Sequence, residues 1–308
     1  MKTTFLPEGR LLDTEENRAA CSSLDALRRA MAEQTVVEGM TLLCRPDKSL
    51  SVRLGQFMGV IPREEGAIGV ADGSTREIAL LTRVGKPICA VVTDILENGT
   101  LLLSRRKAQE LARGYFLSHL RPGDVIPATV THLEPFGAFL DIGCGLPSML
   151  GLDSISLSRI PHPNCRFLPG QDVFAVVTDL DRTLGRVLLS HKELLGTWEE
   201  NVAAFSVGMT VPGVVRGIKD YGTFVELTPN LSGLAEPREP LSEGERVSVF
   251  IKSILPERMK IKLLVIGRLP ADPTPAPLQY YLPEGRLERW QYAPPGCAKV
   301  GSVSVFTP

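Results

Sequence analysis

Apolar and polar residues alternate along two short stretches of the chain, and both stretches carry an aromatic where the water-facing side should be polar. In FGAFLDIG, residues 136–143, Leu140 and Ile142 share one face of a strand while Phe139 and Asp141 share the other. In YGTFVELT, residues 221–228, Val225 and Leu227 share one face while Phe224 and Glu226 share the other. An unpaired carboxylate is costly to bury, so the pattern predicts that Phe139 and Phe224 face solvent beside Asp141 and Glu226. One exposed Phe is ordinary. The same Phe behind the same aromatic–Gly pair, in two places 85 residues apart, predicts a stacking platform. Small barrels use such platforms to hold unpaired nucleic-acid bases.

The two stretches belong to a longer repeat. Residues 123–192 and 208–264 share a Gly-led strand, a turn with aromatic–Gly, a second strand, a Gly–Leu, a Gly-led strand, and a charged turn into a last apolar strand. A weaker copy lies at 35–107, where Lys48 replaces Phe136, Ser51 replaces Phe139 and Arg53 replaces Asp141. That copy keeps the scaffold and loses the platform. Runs of Val, Ile and Leu between turn residues predict five short strands per copy, enough for a small closed barrel without exposed edges. The predicted organisation is an N-terminal segment with a helix (1–34), a degenerate repeat (35–107), a linker helix (108–120), a repeat (121–192), a linker helix (193–206), a shortened repeat (207–267) and a Pro-rich, aromatic tail (268–308). Ser22 with Asp25 predicts a capping box for the N-terminal helix. The basic run 104–107 reads as a solvated strand end. LPEGRL occurs at 6–11 and again at 282–287, with two readings open: chance, or docking of both segments on similar surfaces.

Composition narrows the function. A net charge of −1 over 308 residues means that nucleic acid must be held by a local patch or by stacking. The six cysteines (Cys21, Cys44, Cys89, Cys144, Cys165, Cys297) form no C-x-x-C pair and no zinc spacing, so they read as free thiols in a reducing compartment, with no metal or cofactor expected. The first ten residues lack a signal-peptide core and no apolar run reaches membrane length, so a cytoplasmic protein is expected. An enzyme is not expected: the chain has no phosphate-loop, H-E-x-x-H or G-x-S-x-G motif, and its four histidines are scattered.

The full pattern of residues 121–192 resembles the RNA-binding repeat of the bacterial ribosomal protein S1 family. The matching residues are Phe136-Gly137-Ala138-Phe139, Gly151-Leu152, Gly170 to Val173, and Asp181 through Arg186 to Leu189-Ser190-His191-Lys192. Residues 207–267 match with a shorter central connection. The resemblance implies a mainly β fold of tandem five-stranded OB-type barrels joined by short helices. It also implies single-stranded RNA as the partner: mRNA, near the small ribosomal subunit or in another RNA-processing complex. Carried over residue by residue, it makes Phe136, Phe139, Tyr221 and Phe224 the stacking positions and Arg186 the basic position of the last hairpin. His132, Arg216 and Lys219 lie beside the platforms on the first strands. Gly137 and Gly222 would start their strands late or bulge them, bringing both aromatics of a pair to one side. Where the family often carries a His after Gly–Leu–Val, this neighbourhood offers Asp153 and Glu236. Those departures, the near-neutral charge and the bare first copy keep a second reading open: a protein-interaction scaffold of OB-type barrels with little RNA affinity.

Overall fold

Three sets of five strands follow one another along the chain. The computed structural model describes residues 5–237, 240–272, 274–297 and 301–307. After helices α1 (Glu15–Ala20) and α2 (Leu24–Ala32), barrel one is built from β1 (Val36–Cys44), β2 (Leu50–Leu54), β3 (Phe57–Ile61), β4 (Pro87–Ile95) and β5 (Leu101–Ser104), with the short helix α3 (Ile78–Leu81) before β4. Helix α4 (Arg105–His119) leads to barrel two: β6 (Val125–Glu134), β7 (Gly137–Asp141), β8 (Pro147–Gly151), β9 (Asp172–Asp181) and β10 (Arg186–Ser190). Helix α5 (Trp198–Val202) precedes barrel three: β11 (Thr210–Lys219), β12 (Gly222–Thr228), β13 (Leu231–Ala235), β14 (Arg246–Leu255) and β15 (Lys260–Arg268). A two-stranded ribbon, β16 (Arg289–Gln291) with β17 (Val303–Val305), closes the description.

The mainly β, OB-type architecture is therefore present three times. Barrels one and three are closed in the orders β1-β2-β3-β5-β4 and β11-β12-β13-β15-β14. Barrel two has the same order, but β8 and β10 lie side by side without a ladder, tied where the Ser148 hydroxyl donates to the Val187 carbonyl at 2.7 Å. Each barrel has its own apolar filling: Val37, Leu50, Val52 and Leu101 in the first, Ala138, Leu140, Leu150 and Val177 in the second, Val225, Leu231, Val249 and Leu263 in the third. These residues come from alternate positions of each strand, as half-buried strands require.

Several local expectations change. The cap of α2 is Ser23, whose side chain accepts from the Ala26 N–H, and not Ser22. The run 104–107 is no solvated strand end. Ser104 caps α4, and Arg105 is buried with Nε and Nη2 on the Glu8 carboxylate at 2.7 and 2.9 Å. The span 193–206 is not one helix. A 3₁₀ turn (Lys192–Leu195) and α5 are separated by Gly196, which sits at φ +84°, where an added Cβ would lie 2.6 Å from the Tyr281 ring.

Both LPEGRL segments dock on the chain itself. Residues 6–11 thread between barrels one and two. There the Glu8 carboxylate also meets Arg83 at 2.7 Å, and the N–H groups of Gly9 and Leu11 donate to Glu38. The second segment runs along the start of β6: Val125 N–H donates to the Gly285 carbonyl and Leu287 N–H to the Gly123 carbonyl. The aromatic tail straps barrels two and three together. Tyr280 Oη meets buried His191 Nε2 at 3.0 Å, Tyr292 Oη donates to the Asn230 carbonyl, and Trp290 is buried. The tail aromatics thus cover the chain's own surface.

Candidate nucleic-acid interface

A one-residue bulge recurs at the same place in the first strand of every barrel. It falls at Leu42 in β1, at Thr131 in β6 and at Arg216 in β11. Before each bulge the paired residues point into the core, as Val130 does opposite Leu140. Beyond it the first strand turns an outward residue to the next strand. The result is a row of outward positions running across each barrel. In barrel two it reads His132, Phe139, Met149, with Leu188 on the neighbouring β10. In barrel three it reads Gly217, Phe224, Leu234, Lys262, and in barrel one Leu43, Ser51, Val60, Leu102.

The barrel-two row carries the aromatic cluster. The His132 ring stacks on Phe139 with centroids 4.2 Å apart and planes within 9°. Phe136 stands edge-on to Phe139 at 6.1 Å and 82°, and Tyr221 stands edge-on to Phe224 at 6.2 Å and 87°. Phe136 is 57% exposed and Tyr221 66%, while Phe139 and Phe224 are half-buried between their neighbours. The glycines make this pairing possible. Strands β7 and β12 begin at Gly137 and Gly222, so Phe136 and Tyr221 belong to the preceding turns and fold over onto the strand face. A Cβ on Gly137 would sit 2.4 Å from the Leu150 carbonyl oxygen, and one on Gly222 2.6 Å from that of Ala235.

The two carboxylates do not stand in solvent. Asp141 and Glu226 lie on the outer face with their Phe, but that face is covered at their end, and both are buried. Asp141 accepts from the backbone N–H groups of Glu8, Gly143 and Gly145 at 2.7, 2.8 and 3.0 Å. Burial, with the Glu8 charge nearby, pushes Asp141 up to about 7 against those three donors. Glu226 is held by Arg166 at 2.6 Å and by Arg216 at 2.8 Å. Arg166 comes from the β8–β9 connection of barrel two, so Glu226 ties that connection to barrel three.

The eight residues singled out by sequence therefore separate. Phe136, Phe139 and His132 form one cluster, and Tyr221 with Phe224 a second. Arg186 is exposed at the start of β10 and Lys219 at the end of β11, two residues before Tyr221. Arg216 is corrected: its guanidinium is engaged by Glu226, because the bulge directs it to the covered end of the face. Sequence reading missed Met149 and Leu188, which are 48% and 44% exposed, and the exposed Lys260 and Lys262 of β15. The strand register sets Met149 beside Phe139 and Lys262 beside Leu234, the neighbour of Phe224. An alternation count on β8, β10 and β15 alone would have marked all four as outward.

The class the fold and site define is tandem OB-type barrels with aromatic clusters on one outer face. Residues 119–192 match the S1 RNA binding domain. The small ribosomal subunit protein bS1 of Leuconostoc lactis is 34% identical over 182 residues, covering 54% of this chain and 42% of that protein. The protein of the same name from Staphylococcus aureus (strain COL) is 31% identical over 192 residues, with coverages of 57% and 49%. The chain thus spans less than half the length of these relatives. Among solved structures, a multidomain protein with nucleic acid binding domains from Streptococcus pneumoniae covers 75% of this chain and 73% of its own, at 15% identity and a TM-score of 0.25, too loose a likeness to carry over anything. The middle barrel thus matches an S1 RNA binding domain, and the likeness to bS1 covers a little over half of this chain.

Proposed function

We propose that the protein binds single-stranded RNA, with little sequence preference, by stacking bases on barrels two and three. The observation that carries this reading is the His132–Phe139–Phe136 cluster: three rings on the outer face of the barrel that matches the S1 domain. Each stacked base contributes about 1–3 kcal/mol, so two platforms and a few phosphate contacts give roughly micromolar affinity. The bS1 relatives, named for the small ribosomal subunit, favour that subunit as the setting and the cytoplasm as the compartment; mRNA as the RNA and a non-catalytic role are part of the proposal. Barrel one, whose row is Leu43, Ser51, Val60 and Leu102, has no ring on which to stack a base. It serves as a protein-docking module.

Titration of fluorescent poly-U at low and moderate salt tests the reading. The expected result is binding by the wild type and its loss when Phe139→Ala and Phe224→Ala are combined. Unchanged binding in the double variant sinks the stacking mechanism. No binding by the wild type at either salt favours the scaffold instead.

A further inference from the structure

The rows across barrels two and three share a platform but differ at every other position. In barrel two the Phe139 position is flanked by His132 and Met149, with Leu188 beyond. In barrel three Phe224 is flanked by Gly217 and Leu234, with Lys262 registered against Leu234. On β15, Ile261 and Leu263 are buried in the core, so Lys260 and Lys262 share the outward face with Phe224, and both are exposed. Barrel two has Arg186 where barrel three has Lys260, but Leu188 where it has Lys262. Adjacent strands lie about 4.8 Å apart, which puts the Lys262 backbone about 10 Å from that of Phe224. The flexible lysine stem then reaches the backbone of a nucleotide whose base rests on Phe224.

We propose that Lys260 and Lys262 form a phosphate-contact site on barrel three, making it the more salt-sensitive half of the RNA interface, while barrel two sets the single Arg186 beside its ring and thioether contacts. The inference rests on the RNA-binding reading above. It follows from what each side chain can do. Lysine is a point charge for phosphate and contributes to affinity by releasing counterions. Met149 and Leu188 offer apolar contact, and the His132 ring a stacking face. A strand of RNA lying across both barrels would meet a ring in each and a lysine pair in only one.

The experiment is a salt series of U-rich RNA binding on the full chain, read as the slope of log affinity against log salt. Single strands lose roughly 0.7 in slope per phosphate contact removed. Lys260→Gln with Lys262→Gln therefore lowers the slope by about 1.4, and Leu188→Lys in barrel two raises it by about 0.7. Lys86→Gln, an exposed lysine of barrel one, leaves it unchanged. Circular dichroism melts confirm that these surface variants fold. Wild-type binding whose slope ignores the lysine pair overturns the assignment, as does an equal fall with Lys86→Gln, which would mean a diffuse field. Failure of the wild type to bind RNA at the lowest salt overturns instead the reading on which the inference stands.

Discussion

Buried His191 shows how a residue set inside a family's signature can serve the fold. It occupies the variable position of the L-S-x-K ending, but its ring is fully buried, with Nδ1 at 2.8 Å from the Ile155 carbonyl and Nε2 on Tyr280. Burial, with Arg166 adding repulsion, drops its pKa to about 4. A histidine depressed below the ordinary 6.5 gives stability that is complete above that pH and is lost as pH falls toward 4, because the unfolded chain takes the proton first. The full difference is about 3 kcal/mol. Asp141 works in the opposite sense over the same range, since its raised pKa lets the folded chain protonate first. The wild-type curve alone is therefore a blend. The expected outcome lies in the comparison: denaturation midpoints of wild type against His191→Gln, measured from pH 7 to 5, converge as the pH drops. A constant gap would mean that His191 is not held neutral. The aromatic pairs were legible in the sequence because repetition marked them. The burial of Asp141 was not, because its donors include a backbone N–H 133 residues away.

At the scale of strands, what mattered was the coupling of a glycine start to a bulge. Gly137 and Gly222 could be read as late strand starts, since aromatic–Gly–x–Phe makes little sense on a regular strand. The bulges at Leu42, Thr131 and Arg216 could not, because an extra residue is defined only against a partner strand. For the same reason Arg216 looked like a free cation, while the register made it a partner for Glu226. The glycine requirement can be measured. Gly137→Ala forces its Cβ against the Leu150 carbonyl, with an expected cost of about 1–3 kcal/mol in chemical denaturation. RNA affinity should fall with it, because parting β7 from β8 moves Phe136 off Phe139. Wild-type stability in that variant would show that the turn adapts freely.

For the whole molecule, the order of barrels was legible and their joints were not. Repeat spacing gives three barrels whatever joins them. The joints are made by Glu8 with Arg105 and Arg83, Arg166 with Glu226, and Tyr280 with His191, contacts between residues 60 to 97 apart. Glu8 is the most demanding of these. Its carboxylate is buried and held below the usual range, because the opposing guanidinium of Arg105 and then Arg83 outweigh the burial that would raise it. Removing one partner of a buried ion pair leaves the other uncompensated, so Glu8→Ala should cost about 3–5 kcal/mol. A thermal melt checks this. A melt within a degree of wild type would mean that the N-terminal segment contributes little to the seam between barrels one and two.

The strap over His191 also has a consequence in time. Tyr280 is made 89 residues after the histidine it covers. At roughly 5–20 residues per second of synthesis, that is a delay on the order of ten seconds. For most of that interval barrels one and two can have closed while barrel three, which ends at Arg268, is still being made, and the seam between the second and third lacks its cover. A nascent chain therefore passes through a stage in which its first two barrels are formed and one face of barrel two is bare. Whatever binds that face must do so before the tail arrives.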